Sequence, residues 1–539
     1  MSMAKEWLAG CLETHKTCRE SSANLPVLPT RVIDVGAAGT NSEPFLYVPE
    51  GKRGEWVTLS HCWGNVRPFT TTTATLEINK ASIPLAQLPP LFRDAVHLTR
   101  ELGFQYLWID SICILQDSLV DWTTESLSMN YVFRSCILTI AADCCPNSTV
   151  GIFDAANKPR IAPIYPVSLP VRWDSHDIRA TIFPCPRNYD EDFSGPLNYR
   201  GWTLQEEILS PRLLRYASKA TRWECRSTVQ TEEYPICANE NSRTRYEDHS
   251  QKNICLTLDE FARNEAQNQV TAVTKNDPLQ TWKKIARQFA ERNLTFATDT
   301  LPAISGVARE ISRHLHDSYV AGLWKENILE LLLWYSDGST SRPTEYIAPS
   351  WAWTSLRMGF VLRWVSGDVF SKDMSWLCNI EDLSIQHQGP DPFGSVSGGI
   401  LTLTAPIRKA IGNRELDHCD SVMPFFNNGA YDSSDIIGEK KFVKMILAGP
   451  RCSVQDRILY FGDTVQGDWN GRGPSLDIST IYAQICKCEL DPSCGTGTYI
   501  SALVLTLSDV ERGYYSRVGY ASIPEHLATG WESRTITLI

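Results

Sequence analysis

Between Trp56 and Ala142 the hydrophobic period of the chain switches repeatedly between that of a strand and that of a helix, and this alternation constrains the fold more than any other feature. Trp56-Val57-Thr58-Leu59-Ser60 alternates apolar and polar residues as a strand does, and ends in His61-Cys62-Trp63-Gly64. Behind Pro89-Pro90, the residues Leu91, Phe92, Ala95, Val96, Leu98 and Leu102 recur at helical spacing, with Gly103 as the stop. Tyr106-Leu107-Trp108-Ile109 is short and apolar throughout, which reads as a buried strand ending at Asp110-Ser111. Asp121 reads as the N-cap of a second helix carrying Trp122, Met129 and Phe133 on one face. Cys136 to Ala142, apolar except for Thr139, reads as a third buried strand. Strand and helix in alternation with short connections predict an α/β fold, a parallel sheet with crossover helices. Such sheets bind ligands beyond the carboxyl ends of their strands. That rule singles out Ser60, His61 and Cys62 after the first strand, Asp110 and Ser111 after the second, and Asp143 after the third.

The remainder of the 539 residues divides by pattern. Residues 1–50 read as an amino-terminal arm, opening with Trp7, Leu8, Cys11 and Leu12. Residues 51–215 form the α/β core, interrupted by a proline-rich, β-type excursion at 151–195. A short helix from Trp202 to Leu209 returns to that core and is closed by Ser210-Pro211. Residues 216–365 read as a helical extension, and 366–539 as a β-rich carboxyl-terminal unit with glycine-rich turns such as Gly467 to Gly473. Trp351 and Trp353 are read as alternating on a strand in the core.

Charge and cysteine usage narrow the function classes. With 51 basic against 62 acidic residues the balance is −11, which argues against a nucleic-acid or anionic-membrane partner, since both need a positive field. Seventeen cysteines, an odd number without paired CxxC spacing, follow a start that resembles no secretory signal; reduced thiols in a cytoplasmic protein are expected. No apolar run approaches the roughly 20 residues of a spanning helix. Cys11, His15 and Cys18 have spacings that could bind zinc, but three ligands without a second cluster make an incomplete set, and no metal is expected. Cys486, Cys488 and Cys494 make a poor zinc site as well.

Four ordered motifs carry a family resemblance. They are Val57-Thr-Leu-Ser-His-Cys-Trp-Gly64; Leu91-Phe-Arg-Asp-Ala95 leading to Tyr106-Leu-Trp-Ile-Asp-Ser-Ile-Cys-Ile-Leu-Gln-Asp117; Asp121-Trp122 with Glu125 and Met129 before Leu138-Thr-Ile-Ala-Ala142; and Leu197-Asn-Tyr-Arg-Gly-Trp-Thr-Leu-Gln-Glu206 with Ser210-Pro-Arg212. Together they resemble the heterokaryon-incompatibility (HET) domain of filamentous fungi, with one departure at Asn130-Tyr-Val-Phe133. The resemblance implies a fungal protein of the class that triggers cell death on nonself recognition. HET domains are in turn similar to TIR domains, flavodoxin-like modules of which several cleave NAD at the nicotinamide–ribose bond with a glutamate. In that comparison the catalytic acid falls on Glu206, four positions after Trp202. NAD is then a substrate and not a cofactor, and self-association into a homo-oligomer is expected by analogy.

The residues support that candidacy and leave alternatives. On a helix Glu206 shares a face with Trp202, whereas Glu207 is turned about 100° away, toward solvent. A carboxylate against an indole is partly desolvated, which raises its pKa. The alternative is an ion pair of Glu206 with Arg200 or Arg212. Ser60 could contact a ligand hydroxyl, Trp63 and Trp202 shape a pocket, and Asp110 bind ribose or cap the next turn. Arg200 could bind phosphate or pair with an acidic motif residue. His61 and Cys62 point to opposite faces of a strand, so a thiol–imidazole dyad is disfavoured and a packing role for His61-Cys62-Trp63 is expected. Asp117 reads as a turn cap. Two other functions remain open from sequence: a biosynthetic isomerase, cyclase or hydrolase of secondary metabolism acting on a small organic metabolite, and a non-enzymatic recognition or scaffold protein.

Overall fold

The alternation between Trp56 and Ala142 folds into the centre of an eight-stranded sheet. The computed structural model describes residues 2–20, 25–40, 42–154, 167–173, 176–182, 195–218, 220–232, 277–337, 340–365, 374–409, 444–445, 458–462, 480–489, 498–525 and 530–539. They fall into two compact units, Met1–Pro278 and Leu279–Ile539. Of the regions read above, residues 155–166, 174–175 and 183–194 of the excursion, 219 and 233–276 of the helical extension, the Gly467 to Gly473 turn and Cys494 lie outside the described residues.

In the first unit, helices α1 (Ser2–Thr14) and α2 (Lys16–Glu20) precede strands β1 (Val32–Asp34) and β2 (Phe45–Tyr47). Then come β3 (Trp56–Ser60), α3 (Leu76–Ala81), α4 (Pro90–Glu101), β4 (Tyr106–Trp108), α5 (Asp110–Cys113), α6 (Leu119–Ser135) and β5 (Leu138–Ala141). The excursion contributes a hairpin of β6 (Val167–Trp173) and β7 (His176–Ile182), after which α7 (Gly201–Leu209), β8 (Arg212–Tyr216), β9 (Thr221–Cys225) and β10 (Val229–Thr231) follow. The sheet order is β10-β9-β8-β5-β3-β4-β1-β2. Its middle, β8-β5-β3-β4, is parallel, and antiparallel strands finish both sides. Counted along the chain, the parallel strands lie in the order second, first, third, fourth. This is a largely parallel α/β sheet, as the period of the sequence predicts.

All five residues of β3 are buried, so its polar positions face a polar interior and not water. Thr58 Oγ1 lies 2.6 Å from Thr139 Oγ1, and Thr139 Oγ1 lies 2.5 Å from Ser210 Oγ, linking β3, β5 and the end of α7. Helix α4 buries the predicted stripe of Leu91, Phe92, Ala95, Val96 and Leu98, with Pro90 in its first turn and Gly103 in the left-handed region just past its end. The N-cap of α6 is Ser118, whose hydroxyl accepts from the Asp121 N–H at 3.2 Å; Asp121 does not cap the helix. Its carboxylate instead accepts from Leu115 N–H at 2.7 Å and pairs with Arg31 at 2.5 Å. Asp117 likewise caps no turn of its own: it accepts from the backbone and hydroxyl of Thr73 at 2.8 and 2.6 Å.

The second unit is β-rich, with two principal helices, Pro278–Ala290 and Thr300–Leu315. Val396–Lys409 pairs with Thr480–Glu489 and Glu532–Leu538; Thr480–Glu489 continues through Thr498–Asp509 to Tyr514–Pro524, and the last of these meets Glu532–Leu538 in parallel. The pairings therefore return on themselves as a ring of five strands. Trp282, Trp324, Trp334, Trp351 and Trp353 are fully buried. Trp351 and Trp353 are core residues but not strand residues: Trp353 opens a short 3-10 helix to Ser355. Their indole and carbonyl groups hold a non-repetitive turn, with Trp353 Nε1 donating to Gly322 O at 2.9 Å and Trp334 Nε1 to Trp351 O at 2.9 Å. Gly322 is left-handed at φ 96°, and a Cβ there would meet Thr354 Cγ2 at 2.5 Å.

Candidate functional site

Adjacent parallel strands β3 and β5 deliver their carboxyl ends, Ser60 and Ala141, side by side. Helix α7 crosses in the same region, because Ser60 Oγ donates to Glu206 Oε2 at 2.5 Å. Glu206 is 8% exposed. Burial pushes its carboxyl up to about 7, with Asp110 and Glu207 adding to the rise, while the Ser60 hydroxyl and the Arg200 charge oppose it. A carboxyl group set between donor and acceptor roles near neutral pH is suited to acid–base or cation-stabilising chemistry.

Arg200 and Arg212 do not neutralise Glu206 by a hydrogen-bonded pair. The Arg200 guanidinium donates to the His61 carbonyl and reaches Glu206 as a through-space charge. Arg212 donates to Cys11 Sγ at 3.3 Å and to the carbonyls of Ile137 and Cys18. Trp63 Nε1 donates to Asp110 Oδ2 at 3.0 Å, which draws the His61-Cys62-Trp63 segment to the end of β4. Asp110 also accepts from Ser111 N–H at 2.6 Å, so it both fixes the start of α5 and faces Trp63. His61 is buried edge-on against Phe92, with Nδ1 3.8 Å from Asp110; burial lowers its pKa, so the ring is neutral at pH 7. Cys62 belongs to another cluster, with Ala141, Leu197 and Leu213, where burial pushes its thiol up to about 11. The two residues thus sit in separate surroundings, and Cys62 is no activated nucleophile.

Ser60, His61, Trp63, Asp110, Arg200 and Glu206 are thus brought into one connected region. Ser111 is fully buried, with its hydroxyl unpartnered among the described residues. Trp202 packs edge-to-face on Trp122, with centroids 6.4 Å apart. Trp63, Asp110, Arg200 and Trp202 are half-buried.

Glu207 departs from the helical-wheel expectation. It is 1% exposed and pairs with Arg215 at 3.2 Å. The same guanidinium meets Asp143 at 2.9 Å and Glu224 at 3.6 Å, so one arginine serves three buried carboxylates. Burial raises the Asp143 carboxyl, opposed mainly by Arg215. Every residue of α7 except Trp202 is buried, so this helix has no solvent face for Glu207 to occupy. The sequence signal that pointed here was Asp143 at the end of the third strand; nothing in the local pattern marks Arg215 or Glu224 as its partners.

Gly64 ends the first motif at φ 62°, and a Cβ there would come within 2.8 Å of the Pro146 carbonyl and Asn147 Cβ. Gly195 is equally confined, since a methyl group in place of its hydrogen would overlap the carbonyl oxygen and Oδ1 of Asp143. Two of the ordered motifs therefore contain a glycine, or adjoin one, that only a hydrogen side chain satisfies.

No curated protein and no solved structure matches the chain. Residues 56–206, the span from β3 to Glu206, match the family described as Heterokaryon incompatibility protein (HET), and this part of the chain is a HET domain.

Proposed function

We propose that this HET domain is the effector of a cell-death response of the heterokaryon-incompatibility type in a fungal cytoplasm, and that it acts by hydrolysing NAD(P) at the nicotinamide–ribose bond. The observation that carries the reading is the buried Glu206–Ser60 pair beside the junction of β3 and β5. In a parallel sheet whose strands run second, first, third, fourth, that junction is where the crossovers change direction, and ligands bind at such switch points. The same order begins the flavodoxin-like arrangement, which supports the TIR-like reading of the core.

In the proposed reaction the ionised Glu206 stabilises the ribosyl cation that develops as the C–N bond breaks and neutral nicotinamide leaves with the bonding pair. Water then adds to the anomeric carbon, and its proton passes to Glu206 and on to solvent. Ser60 transfers its hydrogen bond from Glu206 to a ribose hydroxyl. Trp63 and Trp202 flank the nicotinamide and ribose, Asp110 takes a ribose hydroxyl, and Arg200 takes phosphate. His61, Cys62 and Ser111 hold the loop and pocket wall behind them. The free thiols among the described cysteines accord with a reducing compartment.

Purified protein incubated with NAD is expected to release nicotinamide, with Glu206→Gln slower by about a hundredfold or more. Absence of release at any protein concentration, self-associated states included, overturns the reaction; equal release by both proteins clears Glu206 alone.

A second reading, recognition without turnover, draws on a different aspect of the geometry. Ser60, Glu206, Asp143 and Arg215 already find partners within the protein. A partner would then dock on the half-buried Trp63, Asp110, Arg200 and Trp202 and the 60% exposed Tyr199. Trp202→Ala abolishing partner capture in a protein with no NAD turnover would favour it.

A further inference from the structure

The fold completes a ligand set that the sequence leaves open. Cys11 on α1, His15 in the turn that follows and Cys18 on α2 meet Cys225 at the end of β9, and one donor atom from each lies within 4.8 Å of all the others. His15 Nδ1 is 3.4 Å from Cys225 Sγ. Donors on a tetrahedral zinc ion, at about 2.3 Å for sulfur and about 2.0 Å for nitrogen, stand roughly 3.5–3.8 Å apart. A small contraction of the cluster is therefore enough to seat the ion. We propose that Cys11, His15, Cys18 and Cys225 form a Cys3His structural zinc site that fastens the amino-terminal helices to the sheet.

The donor chemistry points to zinc. Three buried free thiols and one half-buried imidazole converge, and an odd number of thiols cannot all pair as disulfides. Soft sulfur donors with one imidazole suit zinc, and four protein ligands leave no open position, which marks the site as structural. Binding releases the thiol protons as thiolates form.

The surroundings of the sulfurs supply what bound thiolates need. Arg212 sits directly opposite Cys225 in the β8–β9 pairing and donates from Nε to Cys11 Sγ at 3.3 Å. Its Nη2 donates to Cys18 O at 2.9 Å, which holds the second helix against the same guanidinium. Ser227, in the turn after β9, places its hydroxyl 3.7 Å from Cys18 Sγ. Zinc with three thiolates carries one net negative charge, and the buried guanidinium offsets it. Helix α1 itself buries only Ala4, Leu8 and Cys11, so Cys11 is one of the few side chains by which it meets the core.

The full chain, purified without chelators, is expected to carry about one zinc by elemental mass spectrometry. Cys18→Ser and Cys225→Ser are each expected to cut that content at least about tenfold, while Cys378→Ser, a buried cysteine of the other unit, retains it. Because a ligand variant can lose metal by failing to fold, the wild-type chain is also stripped with chelator and titrated with Co(II). Sulfur-to-cobalt charge-transfer absorption and the intense visible bands of a tetrahedral ion are expected. Chelation is further expected to expose Cys11, Cys18 and Cys225 to alkylation and residues 1–20 to protease. A wild-type chain that is folded yet holds no zinc and shows no tetrahedral cobalt spectrum overturns the proposal, as does full zinc content in both ligand variants.

Discussion

Glu206 and Glu207 are sequence neighbours with opposite electrostatic settings. Glu207 has a guanidinium partner, whereas Glu206 has a hydroxyl and a carboxyl pushed up to about 7. For a glutamate whose folded pKa lies above its ordinary 4.5, the folded state binds more protons between those two values. Stability at this site therefore declines as pH rises from about 4.5 to about 7, and is level above that. The total is about 3 kcal/mol. Glu206→Gln lacks this loss, so urea midpoints of variant and wild type are expected to converge near pH 4.5 and to separate in the variant's favour by pH 8; parallel curves would refute the assignment. If ionised Glu206 is the working form, nicotinamide release should climb through the same interval. At Gly64, substitution by alanine combines a left-handed φ with a close approach to Pro146, and a loss of about 2 kcal/mol by denaturant titration is expected. Ser60 was legible as a candidate because a strand end is a local signal, and Glu206 because the motif resemblance falls on it, four positions after Trp202. Their hydrogen bond, 146 residues apart in sequence, was not.

At the scale of elements, what the sequence shows depends on length and on having a solvent face. Helix α4 and strands β3 and β5 announce themselves because their apolar residues repeat over several positions, and the three-residue β4 because it lies in the uninterrupted apolar run Tyr106–Ile109. Strands β1 and β2 have three residues each and are too short to display a period. Helix α7 misleads in the opposite way, since a helix buried on nearly every side gives no meaning to a solvent-facing position. Its polar residues are reconciled by Arg215, the hinge of α7, β5 and β9. Arg215→Met removes the cation that Asp143, Glu207 and Glu224 share among the described residues, and is expected to destabilise the protein by about 3–5 kcal/mol, or to prevent folding. The exposed pair of Lys80 and Glu77 on α3 serves as the contrast: Lys80→Met is expected to change stability by less than about 1 kcal/mol in the same titration.

At the scale of the whole molecule, each unit carries its own core, and a chain ending at Pro278 is expected to unfold cooperatively with intact near-ultraviolet dichroism. A non-cooperative transition in that fragment would show that the boundary is misplaced. Among the described residues no helix is long and apolar enough to cross a membrane. The parallel core of the first unit was readable because parallel strands with crossovers are built from neighbours in sequence. The ring in the second unit was not, since its closing partners lie far apart: Leu401 pairs with Leu538 and Ile407 with Glu532. That separation has a consequence in time. During synthesis the strand Val396–Lys409 emerges long before Glu532–Leu538, and until the latter arrives one of its edges stays open to any other extended chain. The second unit therefore completes its folding only once Glu532–Leu538 has been made, and nascent chains crowded on one message are the setting in which strand exchange between copies is most favoured.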